Sequence, residues 1–335
     1  MARYIARRLV LMVVVILGMS LITFLLTRVV PGNPARLLAG PHARQVQVDA
    51  LAKEYRLNGS IPEQYWFYIK GVAHGDLGKS VTTRRPVLDD LRQYLPATIE
   101  LTLSAFILTV LIGVPLGMLS AMKRGSLIDH GSRLFSIAGV SMPVFWLGLV
   151  LQVLLYQKAS ILPAGGRLGT LDAAPHRVSG FYLADSLLAG NLGLFWISFI
   201  HLVLPAATLA FGSLAVVTRM MRSSVLETMN ADYVRTARAK GVGESQILSG
   251  HVFKNAFIPT LTVLSLQVGY LLAGNFLVES VFNWPGIGLY AVNAIKNLDY
   301  AAIMGVTLVV SVIYVGVNLI VDLLYVVLDP RITYA

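Results

Sequence analysis

Asp232-Tyr233-Val234-Arg235-Thr236-Ala237-Arg238-Ala239-Lys240-Gly241 is a short, basic, helix-prone stretch set between two long apolar segments. Gly241 closes it, a residue that ends helices because it accepts a left-handed backbone. The flanking segments, about Phe195 to Val217 and about Phe257 to Val278, are apolar enough to cross a bilayer. A charged, capped helix held between two membrane spans must face water on one side of the membrane. The stretch is therefore a candidate docking handle for a soluble partner.

Working outward, four more apolar runs appear. The first covers about Leu9 to Val30, behind Arg3, Arg7 and Arg8. The others cover Ala97 to Met122, Leu134 to Tyr156 and Ala302 to Leu328. Each meets the ~20 residues that cross ~30 Å of hydrocarbon. The first run is longer than the core of a secretion signal, and no small-x-small cleavage pattern follows it, so it reads as a retained span. The chain is expected to be all-α, a polytopic membrane protein of six transmembrane helices.

Composition agrees. Of 335 residues, 56% are hydrophobic and 13% charged, against roughly 25% charged in soluble domains. A charge at the centre of a spanning helix costs about 2.5–3.5 kcal/mol, so long uncharged runs point to lipid. The net charge of +10 does not indicate nucleic acid, because the bases gather at the ends of apolar runs, where they set topology. Cysteine is absent, which excludes disulfides, thiolate catalysis and Cys-based metal sites.

The short loops give the orientation. One side carries Arg3, Arg7 and Arg8; Lys123, Arg124 and Arg133; Arg219, Arg222, Arg235, Arg238, Lys240 and Lys254; and Arg331. The other carries Lys158, Arg167, Arg177 and Lys296. Basic loops stay in the cytoplasm, so both termini and the Asp232–Gly241 stretch are expected there. Residues 31–96 are polar, of mixed charge, with turn signals at Pro31-Gly32-Asn33-Pro34 and Asn58-Gly59. They are expected to form a small helical periplasmic domain after the first span (1–30). A five-helix core (97–335) follows, with a cytoplasmic loop over about 218–256. Residues about 158–194 form a second outer loop.

Several motifs need weighing. Gly75-Asp76-Leu77-Gly78-Lys79-Ser80 ends like a phosphate-binding loop, but that pattern needs a glycine where Ala73 stands, and a strand before it. It reads as a turn. The histidines (His42, His74, His130, His176, His201, His251) are scattered, and no metal site is expected. Gly113-Val114-Pro115-Leu116-Gly117, Met142-Pro143 and Leu204-Pro205 interrupt spans and are expected to kink them. Such breaks can line a path or act as hinges. Arg28, Glu100 and Glu279 lie near span ends, where they can snorkel to the interface; Asp322 lies deeper and is expected to be paired. Gln267, Asn275 and Asn318 suit helix-to-helix hydrogen bonds or contact with a solute. Phe282-Asn283-Trp284-Pro285-Gly286-Ile287-Gly288 is either a plain turn with Trp284 at the interface or part of an outer gate.

Taken together, these residues resemble the B-type permease of bacterial dipeptide and oligopeptide ABC importers, over nearly the whole length. The resemblance begins with Arg3-Tyr4-Ile5, Arg7-Arg8-Leu9 and Pro31-Gly32-Asn33-Pro34. It continues through Gln64-Tyr65, Gly75–Ser80, Pro86-Val87, Leu95-Pro96-Ala97-Thr98, Met142-Pro143-Val144-Phe145 and Gly180-Phe181-Tyr182-Leu183. Arg222-Ser223-Ser224-Val225-Leu226-Glu227, Asp232–Gly241, His251, Asn255-Ala256 and Trp284-Pro285-Gly286 follow. It closes on Asn318–Asp322 and Asp329-Pro330-Arg331. Each is weak alone; their order is specific.

The resemblance implies that Arg235, Thr236, Ala237 and Gly241 form the core of the EAA motif, whose short helix sits in a groove of an ATPase subunit. Asp232, Tyr233, Arg238 and Lys240 would share that contact. Where the broad motif has a hydrophobic residue and Leu-Pro, this chain has His251, Phe253 and Lys254, as the peptide subgroup does. The resemblance also implies a homologous second permease chain, two ATPase subunits or domains that bind ATP and magnesium, and an external solute-binding protein. It implies a place in the bacterial inner membrane. No cofactor and no catalysis are expected on this chain. Met142, Pro143, Phe145, Gln267, Asn275, Glu279, Trp284, Pro285 and Gly286 are candidates for the pathway or its gate. The alternatives are an importer of nickel, opines or another small solute with the same architecture, an ion-coupled carrier, or an intramembrane hydrolase. For the last, no nucleophile–base pair is visible.

Overall fold

The structure, a computed structural model, describes residues 2–29, 35–36, 43–54 and 58–328; for residues 2–6, 28–29, 51, 54 and 321–328 only the backbone is described. The side chains of Arg28 and Asp322, and the segments Pro31–Pro34 and Asp329–Arg331, lie outside the described residues.

The described residues are almost wholly helical. Five helices are long and apolar enough to span a membrane, and a sixth span is available as a bent pair, so the expected all-α polytopic architecture holds. In chain order the helices are α1 (Ala2–Val29), α2 (Gln45–Glu54), α3 (Ile61–Ala73), α4 (Val87–Leu108), α5 (Val114–Met122), α6 (Leu127–Ser141), α7 (Val144–Leu151), α8 (Tyr182–Leu188) and α9 (Leu192–Met229). They continue with α10 (Asp232–Ala239), α11 (Glu244–Ile247), α12 (Lys254–Val281), α13 (Ile287–Lys296) and α14 (Tyr300–Leu328). The contacts form two compact units, residues 1–96 with 286–335, and residues 97–285.

In the second unit, α9 is the central post. It packs against α5, α6, α7 and α12 and carries a long run of small buried residues, among them Ala206, Ala210, Ser213 and Ala215. Small residues let membrane helices approach closely, which is where their packing energy arises. Gly139 of α6 shows the tolerance: a Cβ there would stand 2.4 Å from the Ala215 Cβ, closer than van der Waals contact permits. On the side expected to face the cytoplasm, Asp129 accepts both Nε (2.6 Å) and Nη2 (3.1 Å) of Arg222, together with the Ser120 hydroxyl and the Gly125 N–H, each at 2.9 Å. Part of the basic excess thus braces the bundle. In the first unit α1 packs along α14, and Tyr65 and Tyr68 of α3 pack on Phe24.

The three proline sites behave differently. At Met142-Pro143 the chain turns by 112° between α6 and the helical run beginning at Val144, so the third span is two pieces rather than one rod. Proline removes a backbone donor and pushes the preceding residue out of the helical region; Met142 is extended there (ψ 128°). Before Pro115 the backbone widens into a π-helical turn over Thr109–Gly113. At Pro205 the helix continues without interruption. Leu204, Pro205 and Ala206 are all buried, and packing holds the helical path that the missing hydrogen bond would weaken. Two further π-helical segments, Gln152–Lys158 and Leu248–Phe253, have no sequence signature.

Candidate functional site

The segment Asp232–Ala239 is a helix, α10, and its sequence accounts for both ends. Asp232 stands in the first turn and Arg238 in the last, each complementing the helix dipole. Gly241 takes φ +79°. Its N–H donates to Arg238 O (3.0 Å), and the N–H of Val242 donates to Ala237 O (3.2 Å). These are the two bonds that satisfy helix carbonyls around a left-handed residue. No atom lies within 4 Å of where a Gly241 Cβ would be, so glycine is required by conformation and not by space.

An eight-residue helix is marginal alone; this one is anchored by its underside. Val234 and Ala237, three residues apart on one face, are buried among Met221 and Val225 of α9, Ile247 of α11 and Val252, Ala256 and Leu264 around the start of α12. Fully burying a valine side chain contributes about 1.5–3 kcal/mol. Arg238 closes onto Glu244 through Nε (2.6 Å) and Nη2 (3.3 Å), and this pairing raises the arginine pKa further. Arg235 reaches Asp232 at 3.5 Å. The opposite face presents Tyr233, Arg235, Thr236 and Lys240 to solvent. A tyrosine left 47% exposed on a rigid, positively charged helix is a ready anchor for a partner surface. His251, Phe253 and Lys254, where the broad motif is departed from, lie at the π-helical turn that leads into α12. There Phe253 stacks on Phe257 with centroids 5.3 Å apart.

The candidate pathway residues divide. Asn275 and Glu279 are buried one turn apart on α12 and face two threonines one turn apart on α4. Thr102 Oγ1 accepts from Asn275 Nδ2 at 2.5 Å, and Thr98 Oγ1 donates to Glu279 at 2.6 Å. They are rungs between α12 and α4. Glu279 does not snorkel. Neither does Glu100, which is buried, pairs with Arg167 Nη2 and accepts the Leu183 N–H at 3.0 Å. Both carboxylates lie on inward faces of their helices with donors supplied, so reaching the interface would leave those donors unpaired.

Trp284 also departs from the expected interface position. It is 1% exposed, and its Nε1–H donates to Ala97 O at 2.9 Å. Pro285 is partly buried beside it, and Gly286 starts α13 in the first unit. Gln267 accepts the Ser213 hydroxyl at 2.8 Å, joining α12 to α9. Met142, Pro143 and Phe145 are exposed at the bend.

Three further residues of this region were not among the candidate site residues. Arg167, Tyr182 and Asp185 come from the second outer loop. The Arg167 guanidinium stacks 3.5 Å from the Tyr182 ring centre and reaches Gly180 O at 2.9 Å. Asp185 accepts the Ser179 hydroxyl (2.7 Å) and the N–H groups of Ser179 and Gly180, each at 2.8 Å. Burial opposes its ionisation, yet these donors hold its carboxyl below the usual range. The loop is strapped at further points: Gln152 donates to Ala164 O and Val281 O, and Gly166 N–H to Phe282 O. No local pattern marks such long-range partners; the one available signal was an arginine beside a Gly-rich outer turn.

Residues 113–334 match the family described as binding-protein-dependent transport system inner membrane component, and residues 1–102 match the N-terminal region described for the same kind of protein. The chain is 48% identical over 321 residues to a probable D,D-dipeptide transport system permease protein of Escherichia coli K12, covering 96% of this chain and 94% of that protein. It is 43% identical to the dipeptide transport system permease protein of Alkalihalophilus pseudofirmus, over the whole of both chains. To the di/tripeptide transport system permease protein of Pseudomonas aeruginosa it is 42% identical, over 99% of each. This chain, a multi-pass membrane protein, belongs to the binding-protein-dependent transport system inner membrane component family.

Proposed function

We propose that the chain forms half of a translocation pathway for dipeptides or short oligopeptides in an ATP-driven importer of the bacterial inner membrane. Its partners would be a homologous permease chain, two ATPase subunits or domains that bind ATP and magnesium, and an external solute-binding protein. Both termini and the loop of about 218–256 would be cytoplasmic, with residues 31–96 outside as a small helical domain. The chain itself would carry out no covalent chemistry. The peptide class is supported by what the relatives are named for.

The observation that carries the coupling role is α10: a capped helix, anchored by Val234 and Ala237, with Tyr233, Arg235 and Thr236 facing out. A helix fixed to α9 and α12 passes force to both. A ligand shifts a two-state equilibrium only by its differential affinity for the two states; switching it fully takes about 5.5 kcal/mol. ATP-dependent closure of the ATPases around α10 would supply that bias.

Reconstituted uptake tests this. Proteoliposomes holding the complete complex should accumulate a labelled dipeptide only with ATP, ATPase subunits and binding protein together. Uptake by the permease chains alone, driven by an ion gradient, would replace this reading with an ion-coupled carrier.

A further inference from the structure

Among the described residues, four that are not glycine hold left-handed backbone: Arg84 (φ 57°), Ser160 (φ 53°), Asn283 (φ 47°) and Leu298 (φ 54°). Asparagine takes that conformation readily, whereas arginine and leucine do not. These two lie on neighbouring loops of the first unit. In one loop, Lys79 pairs with Pro86, and the Arg84 N–H donates to Ser80 O at 3.0 Å. In the other, Leu298 follows α13; its N–H donates to Ile295 O (3.2 Å), and that of Asp299 to Ala294 O (2.8 Å). Glycine is the ordinary occupant of such a position.

Two buried carboxylates brace the loops from below. Asp299 accepts the Ser80 hydroxyl at 2.5 Å and the Thr82 N–H at 3.0 Å, and its other oxygen accepts the Ala302 N–H at 3.2 Å. Asp90 accepts the hydroxyls of Thr83 (2.5 Å) and Tyr290 (3.0 Å) and faces Arg85 Nε at 3.4 Å. Both are fully buried. Above them Lys79, Arg84, Arg85 and Lys296 are exposed, as are Ile295 and Leu298, with Asp76 and Asp89 at the margins. The frame thus holds its acids inside and shows bases and apolar side chains outside.

We propose that the loop 79–86 and the turn 295–298 form the seat for an acidic face of the external solute-binding protein, with Ile295 and Leu298 as apolar anchors and Lys79 and Arg84 as charge contacts. This rests on the function and orientation proposed above. Anionic lipid would need the charges alone, which flexible lysines on any loop supply. An arginine and a leucine kept in costly backbone on a braced frame fit a partner with shape.

The test uses the complete complex in neutral phosphatidylcholine nanodiscs and a purified solute-binding protein of the same importer. The Arg84→Gly/Leu298→Gly variant relieves the backbone, so its melting temperature should hold or rise. Its affinity for the binding protein should nevertheless fall on the order of tenfold or more. Lys79→Glu/Arg84→Glu should weaken binding and flatten its salt dependence. If the unaltered complex binds and both variants bind equally well, the seat is elsewhere and the function stands. An effect confined to discs containing anionic lipid would assign the surface to the membrane instead. A complex that binds no solute-binding protein would remove the seat and the importer reading together.

Discussion

Arg167 and Glu100 are both charged and both about 6% exposed. Each is tolerable inside only because the other is there, with Gly180 O, the Leu183 N–H and the Tyr182 ring completing the shell. Removing one partner from such a pair costs about 3–5 kcal/mol, while replacing both with apolar residues is often neutral. Arg167→Met should therefore sharply lower the denaturation midpoint of the detergent-solubilised protein, and Glu100→Leu/Arg167→Met should recover most of it. Equal midpoints for the single and double variants would contradict the pairing. Glu100 was readable as a charge near a span; its partner was not, because 67 residues of chain separate them and no periodicity links a loop to a helix. The same limit hid Thr98 and Thr102, ordinary residues until Glu279 and Asn275 are seen opposite them. Trp284 misled for a related reason: composition places tryptophan at interfaces, but here Ala97 O within α4 accepts its N–H and holds the ring inside.

At the scale of the element, what depends on length and local chemistry was legible. The spans announced themselves by apolar runs, α10 by its charge and Gly241, and the bend by Met142-Pro143. The π-helical turns were not legible, since they answer to packing around them. Nor was the underside of α10: Val234 and Ala237 are visible as a pair, but Ile247, Val252 and Leu264, which receive them, are not. The Gly241 cap gives an element-level prediction. A Cβ there meets nothing within 4 Å, so Gly241→Val acts through the backbone alone, at about 1–3 kcal/mol. The strain falls on the last turn of α10 and the Val242 bond to Ala237. Membrane insertion and assembly should be retained while peptide uptake per ATP hydrolysed falls roughly tenfold, equivalent to ~1.4 kcal/mol of lost coupling. Unchanged stoichiometry in proteoliposomes would count against α10 as the coupling element.

Across the whole molecule, the sequence supplied the architecture and the family resemblance, and the family match bears both out. What it could not supply was the division into two units, in which residues 286–335 join residues 1–96; that depends on contacts between distant parts of the chain. The central proposal also belongs to this scale: the helix that this chain anchors would be gripped by a separate ATPase. The chain has no cysteine, so one introduced at Thr236, on the exposed face of α10, is a unique reporter. In the assembled complex that cysteine should cross-link to an ATPase subunit carrying a cysteine in its facing groove, with a yield that changes between the nucleotide-free and ATP-bound states. A Thr236→Cys complex that transports peptide normally yet gives no ATPase adduct in either state would contradict the account.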